Sequence, residues 1–396
     1  MISKEDSLNV EYDPLASVQA AGPPGTISLI YGLPNPDSFP VQELRGAFDK
    51  VLRERPALAL QYGPEQGYGP LIDYLREKLA RDEGLNLTRA NLLITAGSSQ
   101  AVDHICTLFT RSGDIVLTET PSYSETLQLF RDHRLQPKQI PTDEGGLQVE
   151  ALRERLEHLV QCGEHPRMLY VIPCYQNPSG ITLVADRREA VLELADRYDL
   201  LVIEDDVYRD LAFDTPPPPS LYALDKHSRV LRVGSFSKLL SPALRLGWTM
   251  GPEELIDRMI ESGLRCMGGG ANPLTANAVA AYCQQGLLEP HIEQLHRVYR
   301  ARRDSMLKAL ETHMPDDVHW TRPNGGFFVW LSLPRPLCAI EIIKRTQDAG
   351  VMALAGDPFF AEQPTGQFLR LAFSYVAPEK IAEGIETLGK ALVTGC

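Results

Sequence analysis

Four short stretches of the chain gather residues with chemistry to offer. "VGSFSKLLSPALRLGW", residues 233–248, sets Lys238 in a turn with Ser235 and Ser237, and places Arg245 seven positions later in otherwise apolar sequence. "VIEDDVY" ends an apolar run with Glu204, Asp205 and Asp206, and puts Tyr208 three positions past Asp205. A carboxylate in such a place needs a positive or proton-bearing partner, because its desolvation is otherwise costly. "IPCYQNPSG" closes another run with Asn177, after which Pro178 and Gly180 turn the chain. "TAGSSQA" ends a third with Gly97, Ser98 and Ser99 at the start of a helical pattern, where free N–H groups and the helix dipole favour an anion. Together they offer an anion site, an isolated amine, a hydrogen-bonding amide and an acid.

Strand ends must hold these residues. From about residue 68, "GPLIDYLREKLARDEG" precedes the apolar "NLLITAG", and "SSQAVDHICTLFTRSG" follows as a helix with serine near its start and glycine at its end. "DIVLTET", "RMLYVIP", "LLVIEDD", "VLRVGS" and "LGWTMGP" read as strands, with helical patterns such as "RREAVLELADRYD" between several of them. This is α/β sequence. It predicts a mostly parallel sheet covered on both faces, with ligands beyond the carboxyl ends of the strands. The pattern turns helical from about 273 to 314, and "GGFFVWLSL" and "GQFLRLAFSYV" then supply strands of a smaller C-terminal lobe. The first forty-odd residues read as an arm outside the sheet, and "TPPPPS" at 215–220 as a rigid surface loop.

Bulk properties narrow the partners. A chain of 396 residues suits about two domains. Acidic residues outnumber basic ones, 52 to 39, and no basic stripe is present, which argues against nucleic acid. The polar N-terminus lacks the apolar core of a signal peptide and no later run is long enough to span a membrane, so a cytoplasmic protein is expected. Seven cysteines, at 106, 162, 174, 266, 283, 338 and 396, form no Cys-x-x-Cys pair. They argue against a disulfide framework or a zinc site and are expected to be mostly buried thiols.

In order, and over nearly the whole chain, these segments resemble the pyridoxal-phosphate-dependent aminotransferases of fold type I (class I/II). Within them, the likeness is to the branch acting on 2-aminoadipate, kynurenine and other aromatic or long-chain amino acids. Besides the motifs above, it rests on "SLIYGLPNP" at 28–36, "LQYGPEQGYGPL" at 60–71, "ETPSY" at 119–123, "NGGFFVW" and "LRLAFS". The resemblance implies a fold type I PLP transferase with three parts. These are an N-terminal arm over 1–45, joining the small domain and the active site; a large PLP-binding domain over 46–290, with a mostly parallel seven-stranded sheet between helices; and a smaller α+β domain over 291–396.

The implied cofactor is pyridoxal 5′-phosphate, and the implied catalytic residues are Lys238, Asp205 and Tyr208. Lys238 looks like the Schiff-base lysine, which carries the proton between the substrate Cα and the cofactor C4′. Asp205 would face the pyridine nitrogen and keep it protonated, making the ring an electron sink. Asn177 and Tyr208 look like donors to the ring's phenolic oxygen, and Tyr123 like the plate stacked on its face. Ser98, Ser99, Ser235, Ser237 and Arg245 would hold the phosphate. Gly32, Asn177 and Arg370 match substrate-binding positions, Arg370 gripping the α-carboxylate. Tyr62 matches a tyrosine that reaches the phosphate of the neighbouring subunit, implying a homodimer with shared active sites. The implied reaction is ping-pong transfer of an amino group from an L-amino acid to a 2-oxo acid.

Plainer roles compete. Glu204 and Asp206 also suit a charged strand end, Tyr62 and Tyr123 suit packing aromatics, Arg370 suits a structural ion pair, and the Ser237 hydroxyl suits a turn cap. "GGG" at 268–270 lacks the preceding strand and following lysine of a phosphate loop, and reads as a flexible or closely packed segment. The same fold and cofactor serve lyases, cyclases, decarboxylases and oxidases, although Arg370 favours transfer. A non-catalytic effector-binding domain of a transcription regulator is the second alternative, disfavoured by the acidic chain and by a likeness that begins near residue 28. Family members that bind acidic side chains commonly supply a second cation, and no arginine here is assigned to that task. "CMGGGANP" at 266–273 is less bulky than the family's sequence there, and is expected to make room for a large or aromatic substrate.

Overall fold

The computed structural model describes residues 25–393. The first part of the expected arm, residues 1–24, and Cys396 lie outside the described residues. The main sheet runs in the order Leu92–Thr95, Gly247–Met250, Val230–Ser235, Leu201–Asp205, Met168–Val171, Ile115–Thr120, Gln136–Asp143 and Gly146–Leu147. The seven strands implied by the resemblance are joined at one edge by an eighth of two residues, and neither it nor its neighbour Gln136–Asp143 is among the runs that read as strands in the sequence. Pairing is parallel from Val230–Ser235 through to Gln136–Asp143, and Gly247–Met250 runs antiparallel to both its neighbours.

Side chains alternate between the two faces of a strand, so a sheet covered on both sides needs apolar residues at consecutive positions. Leu117, Leu169, Val202 and Val230 pack with Leu152, Leu156 and Val191 from helices Val149–Gln161 and Ala185–Arg197. Their neighbours Val116, Met168, Ile203 and Leu231 pack on the opposite face. There they meet Val102, Ile105, Ile256 and Met259 from helices Ser98–Phe109 and Glu253–Ile260.

A second, antiparallel sheet has the order His319–Trp320, Phe328–Leu333, Gln367–Ala372 and Leu354–Ala355. Beside it, helix Leu288–His313 lies along helix Pro378–Val393. Ile27–Ser28 pairs in parallel with Val351–Met352, and the amide of Ala372 donates to the Leu29 carbonyl at 2.7 Å. The chain entering the molecule is thus stitched to this sheet before it reaches Gly32. Among the described residues, no helix is long and apolar enough to cross a membrane, and no group of three or more His, Cys, Asp or Glu is placed to hold a metal ion. Cys106, Cys174 and Cys283 are buried, but Cys162 and Cys266 are exposed, so the thiols are less uniformly interior than expected.

Candidate active site

Parallel strands bring their carboxyl ends to one side, and there the predicted residues meet. One cavity of about 340 Å³ is lined by Gly32, Ser98, Ser99, Tyr123, Asn177, Asp205, Tyr208, Ser235, Ser237, Lys238, Arg245 and Arg370. Tyr62 alone is missing from the predicted set, standing outside this cavity with 78% of its surface exposed.

The three carboxylates after Ile203 part company. Glu204 is buried and caps helix Leu221–Leu224, accepting from the amides of Leu221 at 2.8 Å and Tyr222 at 2.9 Å. Asp206 turns toward Arg232, 3.1 Å away, and Arg209, 3.5 Å away. Only Asp205 lines the cavity. Its Oδ2 accepts a 2.7 Å bond from the Tyr170 hydroxyl, to which Thr126 Oγ1 donates in turn. Its Oδ1 is buried without a hydrogen-bond partner among the described residues. Burial pushes the carboxyl up to about 6, against the lowering effects of the Tyr170 bond and the Lys238 charge.

Lys238 stands just past strand Val230–Ser235, the neighbour of the strand that ends at Asp205. Its Nζ donates to the Gly32 carbonyl at 3.3 Å and lies over the rings of Tyr208 and Phe327. Burial, reinforced by the nearby Arg370 charge, brings the amine down to about 8. A Cβ on Gly32 would sit 2.5 Å from Phe328 Cζ, so only glycine lets the backbone come this close. Arg370 reaches the cavity from strand Gln367–Ala372, donating to Asn177 Oδ1 at 3.0 Å and to the Ile30 carbonyl at 2.9 Å. Its guanidinium lies over Phe328 and Phe359, and no carboxylate pairs with it among the described residues. A structural ion pair is therefore not its role.

At the other end, Ser98 and Ser99 open helix Ser98–Phe109. Arg245, in the left-handed backbone region at φ 44°, turns its guanidinium to the carbonyls of Ala96 and Pro242, each at 3.3 Å. A Cβ on Gly97 would lie 2.8 Å from Arg245 Nη2, so glycine there clears the space for it. Ser235 Oγ accepts from the Ser237 amide at 3.0 Å. The hydroxyl capping this turn is thus that of Ser235, not the Ser237 hydroxyl suggested by the sequence.

Residues 34–388 match the family aminotransferase class I and II. The chain belongs to that family. It is 37% identical over 366 residues to aromatic-amino-acid aminotransferase 1 of Thermococcus litoralis, a match covering 92% of this chain and 88% of the relative. The crystal structure of Pyrococcus horikoshii kynurenine aminotransferase, in complex with PMP, is similar at a TM-score of 0.90 and 36% identity, over 96% of this chain and 93% of that one. The α-aminoadipate aminotransferase LysN of Thermus thermophilus, complexed with N-(5′-phosphopyridoxyl)-L-leucine, gives 0.85 and 35% over 94% and 93% of the two chains.

This aminotransferase is therefore a fold type I enzyme dependent on pyridoxal 5′-phosphate. Its residues fit that group. The unpartnered Asp205 Oδ1 suits a protonated ring nitrogen, and the hydroxyls and guanidinium at the start of helix Ser98–Phe109 suit a phosphate.

Several of the aminotransferase's site residues escape the sequence reading. Tyr170 bonds Asp205; its one signal is a hydroxyl inside an apolar strand, which needs a buried partner. Gln176 holds the turn carrying Asn177, donating to the Pro121 carbonyl at 2.7 Å and accepting from the Ser179 amide at 3.0 Å. Buried Glu119 accepts from the amide of Ile172, a cavity residue, at 2.8 Å. Glu125 and Phe328 line the cavity with no sequence signal. The glycines at 268–270 do not line it. A Cβ on Gly269 would overlap the Gly63 carbonyl, and one on Gly270 the Pro64 carbonyl. The missing side chains of Gly269 and Gly270 thus admit another stretch of backbone, while a Cβ on Gly268 would meet nothing within 4 Å.

Proposed function

We propose that the enzyme moves an amino group from an L-amino acid with an aromatic, long-chain or 2-aminoadipate-like side chain to a 2-oxo acid, in two half-reactions. The observation that carries this reading is the meeting in one cavity of a depressed amine, Lys238, a buried acid with one unpartnered oxygen, Asp205, and a guanidinium with no carboxylate partner among the described residues, Arg370. The names of the relatives support the substrate range.

When bound, the cofactor supplies an electron-withdrawing ring that makes the substrate Cα–H acidic. Arg370, held by Asn177 and the Ile30 carbonyl, offers its fork to the α-carboxylate and fixes the substrate's orientation. Lys238 Nζ, with its affinity for protons lowered toward neutrality, takes the proton from Cα and returns it. It is also the amine for the Schiff-base link. Asp205 stays ionised against the ring nitrogen because that cation offsets its desolvation. Asn177 and Tyr208 would offer donors to the ring oxygen, Tyr123 would pack against the ring, and Ser98, Ser99, Ser235, Ser237 and Arg245 would hold the phosphate. Gly32 leaves its backbone open to the substrate carboxylate.

The reading includes a homodimer in which Tyr62 completes the partner's phosphate site. Exposed Leu58, Leu60, Tyr62, Leu264 and Met267 support it as apolar surface on two segments that meet where Gly269 touches Gly63. It also includes an arm ending near residue 45, a large domain to about 290 and a small domain beyond, a division supported by the separate sheets. The free thiols among the described residues support a cytoplasmic setting.

Replacing Lys238 by alanine tests the reading. The variant is expected to lose the visible absorbance of the lysine-linked cofactor and at least about a thousandfold in transamination rate. Retention of both would overturn it.

A further inference from the structure

Five charged side chains line the cavity: Glu125, Asp205, Lys238, Arg245 and Arg370. The proposed function employs four of them, and Glu125 is left over. It stands in the first turn of helix Ser124–Asp132, two residues past Tyr123, and is exposed while lining the cavity, which puts it at the mouth. Its charge is felt at Lys238 and Arg370, where it opposes the lowering effect of burial. Ser124 Oγ donates to Glu125 Oε2 at 2.6 Å, the one hydrogen bond to this carboxylate among the described residues.

The three cations are each committed: Lys238 to the proton, Arg245 to the phosphate and Arg370 to the α-carboxylate. Among the described residues lining the cavity, a substrate side chain that extends from Cα toward the mouth therefore meets an uncommitted anion and no uncommitted cation. A site that rejects by like charge and accepts by opposite charge sets specificity from both directions.

We infer that Glu125 is a specificity-determining residue: it turns away substrates that carry a second carboxylate and favours those whose side chain ends in a cation or a hydrogen-bond donor. This rests on the transaminase reading and narrows its substrate range.

The test uses the holoenzyme and follows the first half-reaction by the cofactor's visible absorbance, with phenylalanine, 2-aminoadipate or ornithine as sole substrate. In Glu125→Gln, the ratio of kcat/KM for 2-aminoadipate to that for phenylalanine is expected to rise about tenfold. The ratio for ornithine to phenylalanine is expected to fall about tenfold, the scale of one charge contact in a partly hydrated site. Glu125→Lys is expected to drive both ratios further the same way. Unchanged ratios in both variants would overturn the inference and leave the transaminase reading standing. Failure of all three substrates with the unmodified enzyme would overturn that reading, and the inference with it.

Discussion

Asp205 and Asp206 are adjacent in sequence and both buried, yet they face opposite sides of the same strand end. On one side Asp206 lies among Arg232, Arg209 and Glu83, with Arg232 Nη2 2.8 Å from Glu83 Oε1 and 3.1 Å from Asp206 Oδ2. Burial works to raise the Asp206 carboxyl, but Arg232 and Arg209 outweigh it and hold the group below its ordinary value. On the other side Asp205 has one tyrosine, an empty-handed Oδ1 and a carboxyl raised to about 6. The first cluster answers its charges by opposite charge, although neither Asp206 oxygen has a hydrogen-bond partner among the described residues. The cavity keeps its charges partly unanswered, and that residual affinity is what a cofactor and a substrate can use.

Removing an answered charge should therefore cost far more stability than removing an unanswered one. Arg232→Met leaves buried Asp206 and half-buried Glu83 with Arg209 as their one remaining shared cation among the described residues. It is expected to lower unfolding stability by about 3–5 kcal/mol, as read in urea. Lys238→Met in cofactor-free protein should do the opposite, raising stability by about 1–3 kcal/mol at neutral pH. The sign follows from the amine's folded-state value, about 8, lying below its ordinary 10.5. The penalty for holding it charged is full below about 8 and fades as pH rises toward 10.5, so the two proteins should converge in alkali. A loss of stability at neutral pH in Lys238→Met would erase the contrast between the two clusters.

The smallest change sharpens the comparison. The hydrogen bond from Tyr170 lowers the Asp205 carboxyl against burial, so Tyr170→Phe should raise it further. Activity that needs the carboxylate is lost as pH falls through its value in the loaded enzyme, which the ring nitrogen's cation holds lower than in the cofactor-free protein. The acid limb of the kcat/KM profile is therefore expected to move up by about one pH unit. An unmoved limb would mean that Tyr170 merely fills space.

Sequence legibility followed the same divide. Lys238 and Arg245 could be read because isolated cations stand out against apolar sequence, whereas Asp205 and Asn177 were singled out among their neighbours by the family resemblance. The main sheet could be read because consecutive apolar residues serve two faces at once. What stayed hidden depends on contacts across long separations. Tyr170 and Asp205 are 35 residues apart, and nothing local distinguishes that hydroxyl from a packing tyrosine. The three acids at 204–206 look equivalent until Leu221, Arg232 and the cavity each claim one. Gly269 and Gly270 look like vacated space until the chain near Gly63 fills it.

The stitching of the incoming chain to the second sheet has a mechanical result. Leu29 and Ile30 accept bonds from the backbone of Ala372 and the side chain of Arg370, while two residues on the Gly32 carbonyl holds Lys238 Nζ. The guanidinium that meets the substrate and the amine that moves its proton are thereby moored two residues apart on one stretch of backbone, so the spacing between the two groups is set by the main chain rather than by side-chain rotamers.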